Sequence, residues 1–354
     1  MEYSVLYICD YAAAYKGGFI NALEFLRKDL NNEGIEQVYL FPHRALSTNA
    51  KNWIEEMRAD GATVYVQTDS VVKNISLVRK IVKKHNVKKI FRHFNDLKID
   101  AVIRLFCPRI PVVRFMHCEY RATGLSHKIR KLLYKKDVFV GVSETVTRKL
   151  VELFPDNRCD TLQNAIYFER FSKVDEFEKP DKITCLTMGY NVLVKGVDLT
   201  FEVFRRIRKQ YDAVLYVVVA SHREELEAEI KKQFGTQPEW LIVLQPTENI
   251  GTYYHNADIF LSPSRSEGLP FSVFEAMYCG CLAVASDIPQ LITDKVSSIR
   301  YFESENLDEY EKVLSKAIED VKKPETEKER LEAKEEILKN YSMKVWADRV
   351  KALI

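Results

Sequence analysis

Two glutamates in one short segment have the residue type and the spacing to bind hydroxyl groups. Glu267 and Glu275 lie in the stretch SPSRSEGLPFSVFEAM. The apolar run that leads into this stretch predicts a strand. Helical periodicity begins at Phe271, and Pro270 suits the first helical turn. We therefore expect Glu267 in a loop at the carboxyl end of a strand and Glu275 about one turn into the next helix.

The start of that helix is a predicted anion site. The backbone N–H groups of Phe271, Ser272 and Val273 have no partner within the helix, and the helix dipole favours negative charge there. A phosphate bound to them would lie beside Glu267 and Glu275, whose carboxylates repel phosphate but accept hydrogen bonds from hydroxyls. The combination fits a nucleotide sugar. Taken alone, each glutamate is better explained as a solvent-facing loop residue or a helix-start charge, and it is the pair in this strand–loop–helix context that favours the nucleotide sugar.

Further candidates follow other apolar runs. Lys195 lies in GYNVLVKG, which begins at Gly189 and leads into a helix; an ordinary surface lysine at a helix start is the alternative interpretation. Gly17 and Gly18 follow the first apolar run, where a tight turn also explains them. His117 ends another strand, where a histidine bonded to backbone is an equally good interpretation.

The segment around the glutamates resembles the signature of the retaining GT-B glycosyltransferases with Glu-x7-Glu spacing (glycosyl transferases group 1, family four). That resemblance implies that Glu275 binds the donor ribose and that Glu267 contacts the transferred sugar. It also implies that the backbone after Glu267 holds the sugar hydroxyls and the diphosphate, namely at Gly268, Leu269, Pro270, Phe271, Ser272 and Val273.

The same resemblance gives a role to the lysine segment. Lys195 matches a lysine that neutralises the leaving diphosphate, and Gly189 matches the glycine of that segment. Tyr190 stands where the family has an arginine, and a phenol donates one hydrogen bond but carries no charge. Leaving-group stabilisation is then expected from Lys195, the helix dipole and Arg265.

Two features of the N-terminal half also match the family. Gly17 and Gly18 resemble a glycine pair that lets the backbone approach the donor phosphate or the acceptor. His117 resembles a histidine close to the reacting sugar. Together with Glu267 and Lys195, it completes the expected set of catalytic residues.

Strand and helix patterns alternate along the chain, and the alternation restarts after residue 180. This predicts an α/β fold of two Rossmann-like, doubly wound parallel-sheet domains facing across a cleft, the GT-B arrangement. The polar segment 171–182 is the expected linker. We expect residues 1–171 to form an acceptor-binding domain and residues 172–340 a nucleotide-sugar-binding domain. A helix at about 341–354 is expected to pack back on the first.

Composition and charge limit the cellular locations and the binding partners that fit this chain. No apolar run is long enough to span a membrane, and seven cysteines without Cys-x-x-Cys spacing favour free thiols in a cytoplasmic protein. Residues 1–172 carry a net charge of +9 and residues 173–354 carry −7. Helical stretches at 78–89 and 128–136 mix cations with apolar residues, which fits either an anionic surface on the inner face of the cell membrane or an ordinary solvated helix. No motif for nucleic-acid binding accompanies the charge.

Together these patterns predict a retaining hexosyltransferase that moves a sugar from a UDP- or GDP-sugar to a glycan or lipid-linked acceptor. Capsule, exopolysaccharide or glycoconjugate biosynthesis is the expected setting. The chain has no Asp-x-Asp pair, so we expect neither a metal nor a cofactor at the site. Two alternatives remain: a non-catalytic GT-B partner subunit, which Tyr190 favours, and a sugar-nucleotide epimerase, which needs no acceptor.

Overall fold

The structure is a computed structural model that describes residues 3–13, 18–47, 50–94, 96–117, 120, 123–189, 191–219, 223–247, 249–267, 271–293 and 295–354. Its strands are β1 (Tyr3–Cys9), β2 (Ile35–Phe41), β3 (Thr63–Val66), β4 (Val87–His93), β5 (Val112–Met116), β6 (Val138–Gly141), β7 (Cys159–Thr161), β8 (Ile183–Met188), β9 (Ala213–Val218), β10 (Leu241–Leu244), β11 (Ile259–Ser262), β12 (Leu282–Ser286) and β13 (Ile299–Phe302). Its α-helices are α1 (Gly18–Asn31), α2 (Ala50–Ala59), α3 (Val71–Lys84), α4 (Leu97–Phe106), α5 (Gly124–Leu133), α6 (Glu144–Leu153), α7 (Val197–Ile207), α8 (Arg223–Phe234), α9 (Gly251–His255), α10 (Phe271–Tyr278), α11 (Leu307–Asp320), α12 (Pro324–Tyr341) and α13 (Met343–Lys351).

The chain divides into two compact units. The first comprises residues 1–167 and 343–354, and the second comprises residues 168–342. The boundary thus lies slightly before the position 171 expected from the sequence. Residues 168–171, a short 3-10 turn at the end of the expected first domain, belong to the second unit instead.

The first unit is built on seven parallel strands in the order β3-β2-β1-β4-β5-β6-β7. The central strand β1 is almost wholly buried, as expected for a parallel sheet covered by helices on both faces. Strand order reverses beside β1, whose neighbours are β2 and β4. At such a reversal the loops after two adjacent strands lead away in opposite directions and leave a crevice that binds ligands.

A buried ion network fixes that edge of the first sheet. Arg92 donates from Nε to Asp100 at 2.8 Å, and from Nη1 to the carbonyls of Ile8 and His93 at 3.1 and 2.7 Å. Arg114 donates to the same oxygen of Asp100 at 3.0 Å. Burial raises the pKa of Asp100, but the two guanidinium charges outweigh it and hold that pKa at about 2. The ends of β1 and β4 are therefore tied to α4.

The second unit is built on six parallel strands in the order β10-β9-β8-β11-β12-β13. Here the strand order reverses between β8 and β11, which are hydrogen-bonded neighbours. The loops after these two strands therefore lie side by side at the carboxyl edge, and they are the loops that carry Lys195 and Glu267.

The C-terminal helix α13 belongs to the first unit and packs on α1. Its apolar side chains Trp346 and Val350 are buried. Lys351 Nζ lies 2.6 Å from Asp29 Oδ2 and 2.5 Å from Glu33 Oε1, both on or just after α1. Apolar burial and an ion pair thus hold the end of the chain to the unit in which the chain begins.

The α/β class with two parallel sheets agrees with the sequence prediction. Two edge strands, however, were not predicted from the sequence. Strand β7 reads Cys-Asp-Thr and is at most half-buried, so it lacks an apolar run. Strand β13 reads Ile-Arg-Tyr-Phe and is buried only at its two ends. Among the helices of the described residues, none combines the length and the apolar character needed to cross a bilayer.

Candidate active site

Lys195 and Glu267 form a buried ion pair at the carboxyl edge of the second sheet. Lys195 Nζ lies 2.7 Å from Glu267 Oε1 and 2.8 Å from Oε2. The two side chains are 9% and 8% exposed. Ser264 Oγ donates to Glu267 Oε1 at 2.6 Å, and the Ser264 carbonyl accepts from Ser286 Oγ at 2.6 Å. The Glu267 carboxylate is thus held by the Lys195 cation and by the Ser264 hydroxyl, and Ser264 is itself fixed by its bond from Ser286.

The backbone around Lys195 is shaped by close approach of the two loops. Gly196 has φ 66°, and a side chain there would collide with the carbonyl of Pro263. The N–H of Arg265 donates to the carbonyl of Val194 at 2.8 Å. A cavity of about 10 Å³, room for roughly one water, adjoins the pair and is lined by Thr187, Met188, Lys195, Phe260, Leu261, Ser262, Ser264, Glu267 and Ser272.

Arg265 is directed into an ion network of its own. Its Nη1 and Nη2 donate to the two oxygens of Asp198 at 2.8 and 2.9 Å, and its Nε donates to Glu305 at 2.9 Å. It also donates to the carbonyl of Leu193. Hydrogen bonds to both carboxylates raise the pKa of Arg265. This cation therefore clamps the loop before α7 to the loop after β11, whereas the sequence led us to expect it at the diphosphate.

Glu275 lies in a second polar cluster. Its Oε1 accepts from Arg170 Nη2 at 2.8 Å, and its Oε2 accepts from the Tyr254 hydroxyl at 3.1 Å. Burial raises the pKa of Glu275, and both partners oppose that shift. Each carboxylate oxygen can accept a second hydrogen bond. The cluster thus holds a carboxylate in one orientation and leaves it able to accept bonds from a diol.

The start of α10 supplies the backbone of the expected anion site. Phe271 and Ser272 are half-buried and Val273 is fully buried, so the Val273 side chain packs in the core. Ser272 lines the same small cavity as Lys195 and Glu267. The expected donor residues Gly17, Tyr190, Gly268, Leu269 and Pro270 lie outside the described residues.

In the first unit, His117 follows β5 and is paired with a second histidine. His93 Nδ1 lies 3.0 Å from His117 Nε2, so one ring donates and the other accepts. Burial lowers the pKa of His117 to about 4. Burial, His117 and Arg92 together hold the pKa of His93 well below its ordinary value. Both rings are therefore neutral at physiological pH.

Aromatic side chains surround this histidine pair. Phe94 stacks on His117 with ring centroids 4.4 Å apart, and Phe19 meets His117 edge-on at 5.3 Å. Tyr11 stacks on Phe94 at 5.7 Å. Phe94 has φ 60°, a conformation that L residues rarely adopt, so the turn after β4 is strained. The carboxyl edge of the first sheet thus presents an apolar, uncharged surface around His117.

Two of the glycines expected in the donor site, Gly189 and Gly18, lie in the described residues, and their surroundings differ. A side chain on Gly189 would lie 2.6 Å from Val217 Cγ1 and 2.7 Å from Val219 Cγ2, so packing against β9 and the residue that follows it already requires glycine there. Gly18 is the first residue of α1 and faces open space. Of these two expected donor glycines, Gly189 is therefore the one at which the structure excludes a side chain.

Sequence reasoning missed Arg170, Tyr254 and His93. Arg170 lies beside the expected linker, Tyr254 in a five-residue helix, and His93 at the end of an ordinary strand. No sequence motif connects any of these residues to its partner. Within the described ranges, no group of three or more His, Cys, Asp or Glu side chains has the geometry of a metal site.

Comparison with known proteins finds similarity to glycosyltransferases. Residues 182–320 match the family described as glycosyl transferases group 1. A glycosyltransferase of Haemophilus influenzae is 24% identical over 246 residues, which cover 67% of this chain and 68% of that protein. The amylovoran biosynthesis glycosyltransferase AmsK of Erwinia amylovora is 27% identical over 183 residues, which cover 47% of this chain and 44% of that protein.

Solved structures resemble the whole chain. A glycosyltransferase from Rickettsia africae superposes with a TM-score of 0.82 at 14% identity, covering 99% of this chain and 97% of that chain. Anabaena HepE in complex with UDP and glucose superposes with a TM-score of 0.72 at 13% identity, covering 99% of each chain. The prediction of the GT-B fold is therefore confirmed.

Proposed function

We propose that this chain, whose second unit matches the glycosyl transferases group 1 family and whose fold is GT-B, is a retaining, metal-independent glycosyltransferase that uses a nucleotide-diphosphate sugar. UDP or GDP is the proposed nucleotide, and a glycan or lipid-linked acceptor receives the sugar. The observation that carries the proposal is the buried Lys195–Glu267 pair beside the first turn of α10. That arrangement combines one cation, helix N–H groups and a carboxylate at the carboxyl edge of a doubly wound sheet.

In this proposal each of the three candidate side chains of the second unit, Lys195, Glu267 and Glu275, binds a different part of the donor. Lys195 and the first turn of α10 bind the diphosphate and stabilise the charge that develops as it leaves. Glu267 then accepts hydrogen bonds from the hydroxyls of the transferred sugar. Glu275, oriented by Arg170 and Tyr254, accepts from the ribose diol. The positive charge needed at the leaving group comes from the protein, so no metal is required.

The proposed reaction retains the anomeric configuration. The acceptor oxygen forms a bond to the anomeric carbon on the face from which the diphosphate departs. The bond from that carbon to the diphosphate oxygen breaks, and the acceptor proton passes to the departing phosphate. His117, neutral and surrounded by aromatic rings in the first unit, is the proposed contact to the reacting sugar. We assign the acceptor to the first unit and the donor to the second.

Nucleotide binding is the first test of the proposal. Thermal shift measured with UDP, GDP, ADP, CMP and their common sugars, with Mg²⁺ and with a chelator, should show stabilisation by one nucleotide alone. We expect the shift to be independent of metal and to be lost in Glu275→Gln. Glu332→Gln, on an exposed glutamate of the same unit, is the matched control. Stabilisation by no nucleotide would favour the non-catalytic partner subunit, and a product formed from donor alone would favour the epimerase.

We further propose that α5 holds the enzyme on an anionic membrane at the cytoplasmic face. None of its residues is buried. Leu125, Ile129 and Leu132 are 74%, 41% and 74% exposed and recur at positions i, i+4 and i+7, so they share one face. Lysines and arginines of α5 and the residues after it, Lys128, Arg130, Lys131, Lys135 and Lys136, add the charge that anionic lipid attracts.

Flotation with vesicles tests the membrane proposal. We expect binding to phosphatidylglycerol vesicles at low salt, weaker binding at high salt and little binding to phosphatidylcholine. The triple variant with serine at Leu125, Ile129 and Leu132 should lose binding without a change in melting temperature, since these side chains are exposed. Leu331→Ser, at an exposed leucine of the acidic unit, should bind as the wild type does. Equal binding by the triple variant would contradict the role of α5.

A further inference from the structure

His93 is a buried histidine of the first unit to which neither the sequence motifs nor the proposed reaction gives a role. It is the last residue of β4 and is 1% exposed. Its Nδ1 lies 3.0 Å from His117 Nε2, and its own Nε2 is buried without a hydrogen-bond partner among the described residues. Within that part of the chain, the one hydrogen bond of the His93 ring is therefore the bond to His117.

Neighbouring strands hold the His93 ring in one orientation. Phe115 of β5 stacks on it with ring centroids 4.4 Å apart and an interplanar angle of 12°, and Tyr7 of β1 lies nearly parallel to it at 6.0 Å. The backbone is held as well, because the His93 carbonyl accepts from Arg92 Nη1 at 2.7 Å and from the N–H of Asp10 at 3.1 Å. A ring held in this way is a rigid hydrogen-bonding group.

The pair has two possible arrangements of its protons. Burial lowers the pKa of both rings, so each is neutral and carries one proton. In the first arrangement, His93 donates from Nδ1 to His117 Nε2. In the second, His117 donates from Nε2, and the His93 proton lies on the buried Nε2, which has no acceptor in the described part of the chain. A buried N–H without an acceptor is rarer than an acceptor with an unpaired lone pair, so the first arrangement is favoured.

The first arrangement determines what His117 can do chemically. Because His117 Nε2 accepts from His93, the proton of His117 lies on Nδ1. Nδ1 is the one polar ring atom of His117 that the pair does not use, and in this tautomer it carries a proton and has no free lone pair. His117 can therefore donate a hydrogen bond to a sugar oxygen, but it cannot remove a proton from an acceptor hydroxyl.

We propose that His93 is a positioning residue, which fixes the tautomer and the ring orientation of His117 so that His117 is a hydrogen-bond donor and not a base. The proposal rests on the proposed contact between His117 and the reacting sugar. It agrees with the proposed reaction, in which the departing phosphate takes the proton of the acceptor. Without the donor on His93, the His117 ring exchanges between two tautomers, and part of the protein presents a lone pair in place of the N–H.

Nitrogen NMR on the whole chain tests the tautomer without any substrate. Two-bond proton–nitrogen correlations of protein labelled with [15N]histidine distinguish a protonated ring nitrogen from a bare one. The signals that disappear in His93→Asn and in His117→Phe assign the two rings. At pH 7 we expect both His93 and His117 to be protonated at Nδ1. A proton on Nε2 of His117 would overturn the proposal.

Two substitutions separate the hydrogen bond of His93 from its packing. Asparagine places an amide N–H near the position of Nδ1 but lacks the ring, whereas phenylalanine keeps a ring and lacks the donor. In His93→Phe, His117 should lose its single tautomer. Release of nucleotide from UDP-glucose, UDP-galactose or GDP-mannose should then fall about 3- to 10-fold in kcat with KM within about twofold, the effect of one hydrogen bond. His93→Asn should keep the tautomer and recover most of the kcat.

A role in packing alone predicts the reverse order of the two variants. Turnover at the wild-type rate in His93→Phe, with loss of turnover in His93→Asn, would overturn the proposal. Tyr7→Phe is the matched control, because it keeps the ring parallel to His93 and removes a buried hydroxyl without a partner among the described residues. We expect it to leave both turnover and the His117 tautomer unchanged. A loss equal to that of His93→Phe would contradict a specific role of His93, since any change in these stacked rings would then slow the enzyme.

Failure of this proposal can be separated from failure of the transferase proposal. The tautomer needs no substrate, and the melting temperature shows that each His93 variant folds. Stabilisation by a nucleotide depends on Glu275 in the second unit and should persist in both variants. If His117 has the expected tautomer and loses it in His93→Phe while no nucleotide stabilises the protein, the role of His93 stands and the transferase proposal fails. If a sugar nucleotide is turned over while His117 carries its proton on Nε2, the transferase proposal stands and the role of His93 fails.

Discussion

The carboxyl edges of the two sheets share a topology but differ in their electrostatics. In the second unit, the candidate side chains Lys195, Glu267 and Glu275 are held in ion pairs with partners from other loops. In the first unit, His117 and His93 are both neutral and are enclosed by aromatic rings. The strand reversal creates a crevice in each unit, and the loop residues alone decide what that crevice can bind.

Under the proposed function, this difference corresponds to two tasks that a transferase must perform. A leaving diphosphate carries negative charge, and preorganised cations with helix N–H groups stabilise it. An acceptor hydroxyl and a sugar ring carry no charge and bind to an apolar, hydrogen-bonding surface. A cation at the first edge, or a neutral residue in place of Lys195 at the second, would remove this electrostatic difference between the two units.

The largest effect is expected at Lys195. Lys195→Met removes the cation proposed to face the diphosphate, so turnover of the donor should fall by about 100- to 1,000-fold. The change also leaves the buried Glu267 carboxylate without its cation, with only the Ser264 hydroxyl as a hydrogen-bond donor, which lowers the free energy of unfolding. UDP or GDP release and chemical denaturation measure the two effects.

The double variant Lys195→Met with Glu267→Gln separates catalysis from stability. It removes both charges, so we expect it to regain much of the lost stability while turnover stays low. Recovery of turnover together with stability would mean that Lys195 acts only as a structural partner of Glu267.

A smaller effect is expected at Arg170. Burial raises the pKa of Glu275 and Arg170 opposes the shift, so Arg170→Ala should raise that pKa further. A protonated carboxyl accepts hydrogen bonds poorly, so nucleotide binding is lost as pH falls through this pKa. The variant should therefore lose binding at a higher pH than the wild type and bind about tenfold more weakly at neutral pH. Calorimetric titration between pH 5 and 8 measures both, and Arg170→Lys should restore the wild-type pH profile.

The sequence reveals the glutamates of this cluster but not their partners. The spacing of Glu267 and Glu275 is visible because one strand, one loop and one helix connect them. Arg170 lies 105 positions from Glu275 and Tyr254 lies 21 positions from it, and only the folded sheet brings them together. Strand periodicity, by contrast, is local, and it predicted the doubly wound sheets apart from short edge strands such as β7 and β13.

The buried, neutral His117 of the first unit should make the free energy of unfolding depend on pH. An unfolded histidine has a pKa near 6.5, whereas burial lowers that of His117 to about 4. Between these values the unfolded chain binds more protons, so stability falls as pH is lowered through this window. His117→Phe should reduce the loss between pH 7 and pH 5 by about 1–2 kcal/mol. Urea denaturation at the two pH values measures it, with His43→Gln, at an exposed histidine, as the control that keeps the wild-type dependence.

The smallest effect is expected at Arg265, where sequence and structure lead to different expectations. The sequence predicted that it is a cation for the diphosphate, but its guanidinium bonds the carboxylates of Asp198 and Glu305 and the carbonyl of Leu193. Arg265→Ala should therefore lower stability by about 1 kcal/mol, the value of a partly exposed ion pair, and should change turnover less than tenfold. Asp198→Asn breaks the same pair without removing a cation and should match it in both measurements. A loss of turnover in Arg265→Ala that Asp198→Asn does not share would show that this arginine leaves its carboxylates to contact the diphosphate, and the charge at the second edge would then be larger than Lys195 alone provides.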